Sequence, residues 1–391
     1  MALFLNKMES DLLQILANEV LGSSEKVVLT VPLRRLSHIL RLAKEHTVLG
    51  LVAHGVCRGS VAVKVSDSEE SEQSSEKQCL AKEDLVMNLM KVEVLHQRKY
   101  MKFSHVLAEF ACLMESHHVH YVVFKGMAMA QLYSSPSART MGDVDFYVPA
   151  SDFNRALEVI ETCWKVDIDR EDVDKHYSFD YQGIHFEMHY QIETFGSKRH
   201  QRYFNKLIDE SVAQGADSFG MDDPETDGVT TRISVLPPTE DLIVVFKHWF
   251  NHLLVEGVGL RQTIDLAVLL YAYRDRIDAA RLMTALEQMG YMNAFRAMLA
   301  MIRKYFHLTD LENYCLFNER DEQYADKLMA TILESGNFGR KAYKNHSAGS
   351  RKSMETATRA LRHCIQFFWL APLDIFCLIP KRIWISAKQK V

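Results

Sequence analysis

The run Asp143-Val144-Asp145-Phe146-Tyr147-Val148 sets the first limit on the fold. It is apolar enough for a buried strand, yet it carries carboxylates two positions apart. On a strand such residues project from one face, so both carboxylates emerge together while Val144 and Phe146 turn to the core. Two anions this close raise each other's pKa unless a cation sits between them. Neighbouring carboxylates on a strand are the hard oxygen ligands that magnesium takes. The ordinary alternative is a solvated pair at a strand edge, and an isolated D-x-D defaults to it.

A second run removes that default. Ile184-His185-Phe186-Glu187-Met188-His189-Tyr190 alternates, with His185, Glu187 and His189 on one face and Ile184, Phe186, Met188 and Tyr190 on the other. A carboxylate in so apolar a strand is costly to bury unless it is paired or metal-bound. Beside the Asp143 strand, Glu187 becomes a third carboxylate at the same cation site; the alternative is a cross-strand salt bridge. Three carboxylates from two strands suit two magnesium ions, or manganese in their place: one activates an attacking hydroxyl and the other holds a triphosphate. His185, Glu187 and His189 as a zinc site is the competing arrangement, short of an identifiable further ligand.

Around these strands the pattern is α+β: a mixed sheet with flanking helices, a helical N-terminal region and an all-helical C-terminal domain. Residues 1–64 read as helical from the spacing of Leu12, Leu13, Ile15 and Leu16, then Leu36, Ile39, Leu40 and Leu42. Residues 65–82 contain VSDSEESEQSSEKQ, which has almost nothing to bury and reads as a linker. The α+β domain spans 83–236. It opens with a helix from Glu83 to Ser116, followed by strands at Tyr121–Phe124 and Asp143–Val148. A helix capped by Ser151 or Asp152 runs to Cys163, a strand lies at Lys165–Ile168, and a hairpin turns at Gln182-Gly183. The helical domain spans 237–336, entered at Pro237-Pro238 with Thr239 as N-cap. Residues 337–391 are a loop, to Ser353, and an apolar tail.

That tail, Ile365 to Ile385, is broken by Pro372, Asp374, Pro380, Lys381 and Arg382. A transmembrane helix needs about 20 mainly apolar residues in a row, so the tail is expected to dock on the body. Peripheral membrane contact, with Trp and Phe below and Lys and Arg above, is the alternative. The cysteines are seven, scattered, and never at C-x-x-C spacing. This fits a reducing cytoplasm without disulfides or zinc knuckles, and the opening MALFLNKMESDLLQIL reads as a helix rather than a secretion signal.

Lys125-Gly126 closes the first strand and opens a helix, Met127 to Tyr133. Glycine there allows backbone N–H groups to approach an anion, and Lys125 and Arg139 offer cations for phosphate. Gly142 is expected to permit the turn into Asp143. Together, FKGMAMAQLYSSPSARTMGDVDFYV and HFEMHYQI resemble the uncharacterised nucleotidyltransferase family of the DNA polymerase β-like superfamily. That family reads Lys-Gly, a helix with a Tyr, an Arg, Gly-Asp-hydrophobic-Asp, and later a hydrophobic-Glu-hydrophobic-His strand. HWFNHLLVEGVGLRQTIDLAVLL extends the similarity more weakly, with Arg261 and Asp265 at the family's Arg and Asp.

The resemblance implies Asp143 and Asp145 as shared metal ligands, with Glu187 as the third carboxylate helping to activate the acceptor. The phosphate turn departs from the superfamily's Gly-Ser or Gly-Gly and stands farther from the acidic pair. His189, His252, Arg261 and Asp265 are expected in a cleft between the domains. His248, which shares a helical face with His252, is expected at the surface or between domains.

The leading expectation is a magnesium-dependent transfer of NMP from an NTP to a hydroxyl of a protein, small molecule or RNA end, with pyrophosphate leaving. A non-catalytic, antitoxin-like nucleotide-binding or protein-interaction module is the alternative, and a metal-dependent hydrolase a third. A net charge of −5 counts against non-specific nucleic-acid binding.

Overall fold

In a computed structural model of the protein, which describes residues 5–21, 27–31, 33–65, 75–170, 175–222, 230–339 and 350–378, the N-terminal helices are α1 (Lys7–Leu21), α2 (Leu33–Glu45) and α3 (Leu49–Arg58). They are not alone. Strands β1 (Val27–Val31) and β2 (Val61–Val65) pair in parallel, Val27 opposite Val61. Each is a short valine-rich run that helical spacing elsewhere in the region masks. Helix α4 (Ser75–Ser116) starts inside the stretch expected to be a linker, of which residues 66–74 lie outside the described residues.

Six strands form the main sheet: β3 (Val122–Phe124), β4 (Val144–Tyr147), β5 (His176–Tyr181), β6 (Ile184–His189), β7 (Asp217–Asp222) and β8 (Thr230–Val235). Their order is β5-β6-β4-β3-β8-β7. β4 runs parallel to β6 and antiparallel to β3, and β3 runs parallel to β8. The β5–β6 hairpin turns where expected, with Gln182 at φ 48° and Gly183 at φ 68°, the doubly positive turn that follows strand twist. The expected strand at Lys165–Ile168 is absent; that region holds only a bridge from Asp169 to Ser178. Tyr190 falls past the end of β6 and is partly exposed.

One face of the sheet is sealed by α4. Its residues Phe103, Val106, Leu107, Phe110 and Met114 recur at helical spacing and are all buried. They meet Val123, Val144, Phe146, Phe186, Met188 and Ile233 from the strands. The Phe110 ring lies 4.6 Å from that of Phe146 and 5.7 Å from that of Phe186. Helices α5 (Gly126–Ala130), α6 (Phe153–Val159) and α7 (Lys198–Gln214) connect the strands. Asp152 stands at the α6 N-cap position without capping it; its carboxylate accepts instead from the backbone N–H of His120, 3.1 Å, and pairs with that imidazole.

On the opposite face, Val122, Phe124 and Tyr147 join a second core with helices α8 (Pro238–Val255), α9 (Leu260–Ala272), α10 (Ala279–Met289), α11 (Met292–Phe306) and α12 (Glu319–Ser335), and α13 (Ser350–Gln366) packs against α8. α13 starts within the stretch expected as loop. Pro238, not Thr239, opens α8: proline needs no N–H partner at a first helical position. The Thr239 hydroxyl accepts from the Asp278 N–H, 2.9 Å, at the start of α10. Buried Phe246, Trp249, Phe250 and Phe295 centre this second core, which also takes in Leu12, Leu16 and Ile39 of the N-terminal helices.

The tail docks as far as it is described. Phe367, Leu370 and Ile375 are fully buried, while Ile365, Leu373 and Phe376 stay exposed. Among the described residues no helix is long and apolar enough to cross a membrane. Asp374, 1% exposed, accepts from the Ser197 N–H at 2.9 Å and from the Tyr291 hydroxyl, and lies 3.7 Å from the Lys247 ammonium. Cys57, Cys112, Cys163, Cys315 and Cys377 form no disulfide among the described residues.

Two predictions follow from this packing. Phe110→Ala leaves a cavity between α4 and the sheet and is expected to lower unfolding free energy by about 3–5 kcal/mol, read by urea denaturation. Asp241, buried in the first turn of α8, has its carboxyl pushed up to about 7 by burial, then by Asp265 and Asp217. An unfolded aspartate loses its proton near pH 4. The folded chain keeps it longer, so this site lowers stability as pH rises from about 4 to about 7. Asp241→Asn should therefore be more stable than wild type at pH 8, with the difference vanishing at pH 4.

Candidate active site

The site begins where β3 ends. Lys125 adopts φ 54° and ψ −138°, a conformation that costs a non-glycine residue about 1–3 kcal/mol. The bend sends its ammonium back over the sheet, 3.1 Å from Asp145 Oδ1. Burial lowers the Lys125 pKa, but Asp145, Glu193 and Glu187 outweigh it and raise it above its usual value. Gly126, at φ 23°, lies so close to the next segment that a Cβ would stand 2.9 Å from the Asp143 carbonyl oxygen. Its function is this close approach. Helix α5 spans only Gly126–Ala130, too short to offer the anion-binding N-terminus expected from the sequence. Gly142 likewise departs from expectation: its φ is not positive, and a Cβ there would meet open space.

The parallel register of β4 on β6 sets Asp145 opposite Glu187 and Tyr147 opposite His189. Asp143 precedes β4 and reaches the same cleft. Burial, then the charges of Asp145 and Glu187, push the Asp143 carboxyl up. Asp145 goes the other way. Burial opposes its ionisation, yet Lys125 and His189 hold it well below the usual carboxylate range. Glu187 is lowered too, with burial outweighed by His189, His176 and Lys125. The His189 Nε2 lies 3.0 Å from Asp145 Oδ1 and 3.3 Å from Glu187 Oε2, bridging the two.

The histidine grouping differs from the one expected. His185 pairs with Asp180 at the exposed end of the hairpin, 2.9 Å. His176, which faces His189 across the β5–β6 pair, takes its place beside Glu187. His176, Glu187 and His189 bring one ligand atom each within 4.8 Å of one another.

Arg139, read from the sequence as a phosphate ligand, is committed elsewhere. Its Nε and Nη2 donate to the two oxygens of Asp265 at 2.7 and 2.8 Å, and its Nη1 donates to the Gly126 carbonyl at 3.0 Å. The Tyr133 hydroxyl donates to the same Asp265 oxygen, 2.7 Å. This fork ties the turn between β3 and β4 to α9. Arg261 stands beside it with less to hold. Its Nη1 donates to the Thr140 carbonyl at 3.3 Å, while its buried Nε has no partner among the described residues. Burial, then the like charge of Arg139, lowers its pKa, so an anion in the cleft would relieve it.

Lys125, Gly126, Arg139, Asp143, Asp145, His176, Glu187 and Arg261 line one cleft of about 340 Å³ between the sheet and helices α8 and α9, with His252 and Asp265 also on its wall; His189, expected there from the sequence, is fully buried and does not line it. Glu193, beside the cleft, escapes the sequence reading, and His248, expected at the surface or between domains, lines the cleft. Glu193, past the end of β6, and His248, on α8, meet at 2.7 Å. The signal for Glu193 is a carboxylate between buried Ile192 and Phe195. For His248 it is the pairing of Lys247-His248 with Asn251-His252 one turn apart in a helix that is apolar from Leu242 to Phe246 and again at Leu253-Leu254.

A six-stranded mixed sheet with an acidic cleft at one end, flanked by helices, is an α+β fold of the nucleotidyltransferase type. The profile of the family described as "Uncharacterised nucleotidyltransferase" matches residues 33–307, and the chain belongs to that family. A solved structure, that of an antigenic nucleotidyltransferase-like protein from Paracoccidioides brasiliensis, is similar at 13% identity and a TM-score of 0.33, over 52% of this chain and 92% of that one. No curated protein matches.

Breaking the buried Arg139–Asp265 pair on one side strands a charge. Arg139→Met is expected to cost about 3–5 kcal/mol in urea unfolding. Arg139→Met combined with Asp265→Leu should recover much of that loss, because no unpaired charge remains.

Proposed function

We propose that the protein transfers a nucleoside monophosphate from an NTP to the hydroxyl of an acceptor, releasing pyrophosphate. The observation that carries this reading is the β4–β6 register, which sets Asp145 opposite Glu187 in the cleft that Asp143 and Lys125 also line. Membership of a nucleotidyltransferase family supports it.

The donor set fits a divalent cation. Oxygen ligands from carboxylates suit magnesium or manganese, and the upward push on Asp143 from its two anionic neighbours is the repulsion that a cation would remove. Asp143, Asp145 and Glu187 would hold the metal, which when bound would neutralise triphosphate charge and favour an ionised acceptor oxygen. The chain's own residues supply the rest. Lys125 stays protonated and offers a fixed positive charge to phosphate oxygens. Arg261 takes the phosphate role expected of Arg139, since its buried Nε has no partner among the described residues. Arg139 and Asp265 hold the turn that carries Gly126 and Asp143. The low-dielectric walls strengthen each of these interactions.

The test uses Asp143→Asn. With magnesium, each NTP in turn and cell extract as the source of acceptors, wild type should release pyrophosphate and the variant about 10³-fold less. The variant should melt no lower than wild type, because it removes a repelled charge. Equal release by the two proteins, or no nucleotide transferred by wild type from any labelled NTP, overturns the reading.

A further inference from the structure

Glu193 and His248 do not belong to the carboxylate cluster, yet His248 lines its cleft and Glu193 bonds to His248. The Glu193 side chain is 3% exposed and accepts two bonds at 2.7 Å, from His248 Nδ1 and from Asn251 Nδ2. Burial opposes its charge, but Lys175, His248 and Lys125 hold the carboxyl well below the usual range. It is therefore an anion that accepts and never donates. That fixes the imidazole tautomer. The proton sits on His248 Nδ1, and Nε2 keeps its lone pair. Among the described residues no group bonds that nitrogen, and His248 lines the cleft with Asp143, Asp145 and Glu187. The charged and titratable groups facing the imidazole are Glu193, Lys125, His252 and Asp145. Burial, then Lys125 and His252, push its pKa well below that of free histidine, so the ring is neutral at pH 7.

An ionised carboxylate orienting a neutral imidazole that lines the cleft has a specific chemical use. We propose that His248 is the general base of the transfer reaction and Glu193 its positioning residue. The acceptor is then an un-ionised hydroxyl, an alcohol rather than a carboxylate or an existing anion. The hydroxyl oxygen forms a bond to the α-phosphorus. The bond from that phosphorus to the bridging oxygen breaks, and pyrophosphate leaves with the electron pair. The hydroxyl proton passes to His248 Nε2 and is later lost to solvent. Asn251 supports the pair from the far side: it donates to Glu193, and its own carbonyl oxygen accepts from the Lys247 ammonium.

This assignment rests on the transferase reading, and the experiment separates the two. Full-length wild type, His248→Ala, His248→Gln and Glu193→Gln are compared with the NTP that wild type consumes. His248→Ala and His248→Gln should lose about 10²–10⁴-fold in kcat. Binding of a fluorescent analogue of that NTP with magnesium, without acceptor, should change less than about threefold, since a base adds to the chemical step and not to ground-state binding. Added imidazole should restore part of the turnover of His248→Ala and none in wild type. Nitrogen-15 NMR of the wild-type histidine should show the Nδ1–H tautomer. Glu193→Gln should lower kcat less than His248→Ala. If Ala disturbs the fold in a thermal melt, the Gln variant carries the comparison. Turnover within about threefold of wild type in both His248 variants, parallel loss of NTP binding without imidazole rescue, or an Nε2–H tautomer overturns the assignment and leaves the transferase reading standing. A wild type that consumes no NTP overturns both.

Discussion

Asp145 and Glu187 face each other because β4 and β6 pair in parallel, and that register is enforced by the core rather than by the site. Val144 and Phe146 on β4, and Phe186 and Met188 on β6, are all buried against α4. A slip of one residue would turn each strand's apolar set to the cleft and its carboxylate to the core. The hydrophobic face thus specifies the polar one. Everything else in the cleft is arranged around the anions this register brings together.

Their charge is balanced from several directions. Lys125 reaches Asp145 through a strained backbone, and His189 bridges Asp145 and Glu187. A second balance runs through the helical layer, where Arg139 is taken up by Asp265 and Arg261 is left short of an anion. Such buried pairs add little net stability over an apolar filling. What they do here is join the loop before β4 to α9, so that the sheet and the helices cannot shift independently around the cleft.

Much of this was legible in the sequence. The D-x-D run and the alternation around Glu187 report side-chain direction with a period of two, and a strand delivers it. The hairpin at Gln182-Gly183 is equally local. Contacts between distant segments were less legible. Arg139 and Asp265 lie 126 positions apart, and nothing near Arg139 says that its fork is occupied. The exchange of His185 for His176 has the same origin: alternation names a face of one strand, but only pairing with β5 decides which histidine stands beside Glu187. β1 and β2 were hidden because each is too short to outweigh the helical spacing around it. His248 was read from its spacing to His252, whereas its environment is set by Glu193 on another element.

The polar chain that ends at His248 starts far along the sequence. Asp374 faces Lys247, Lys247 donates to Asn251, and Asn251 donates to Glu193, which holds the imidazole. Asp374 comes 231 positions after Asp143, so during synthesis the sheet and its acidic residues leave the ribosome long before the segment that completes this chain. Until Asp374 docks, Lys247 lacks the nearer carboxylate of its buried pair. The carboxylates of the β4–β6 register therefore come first in synthesis and the last member of the polar chain that holds the imidazole comes much later.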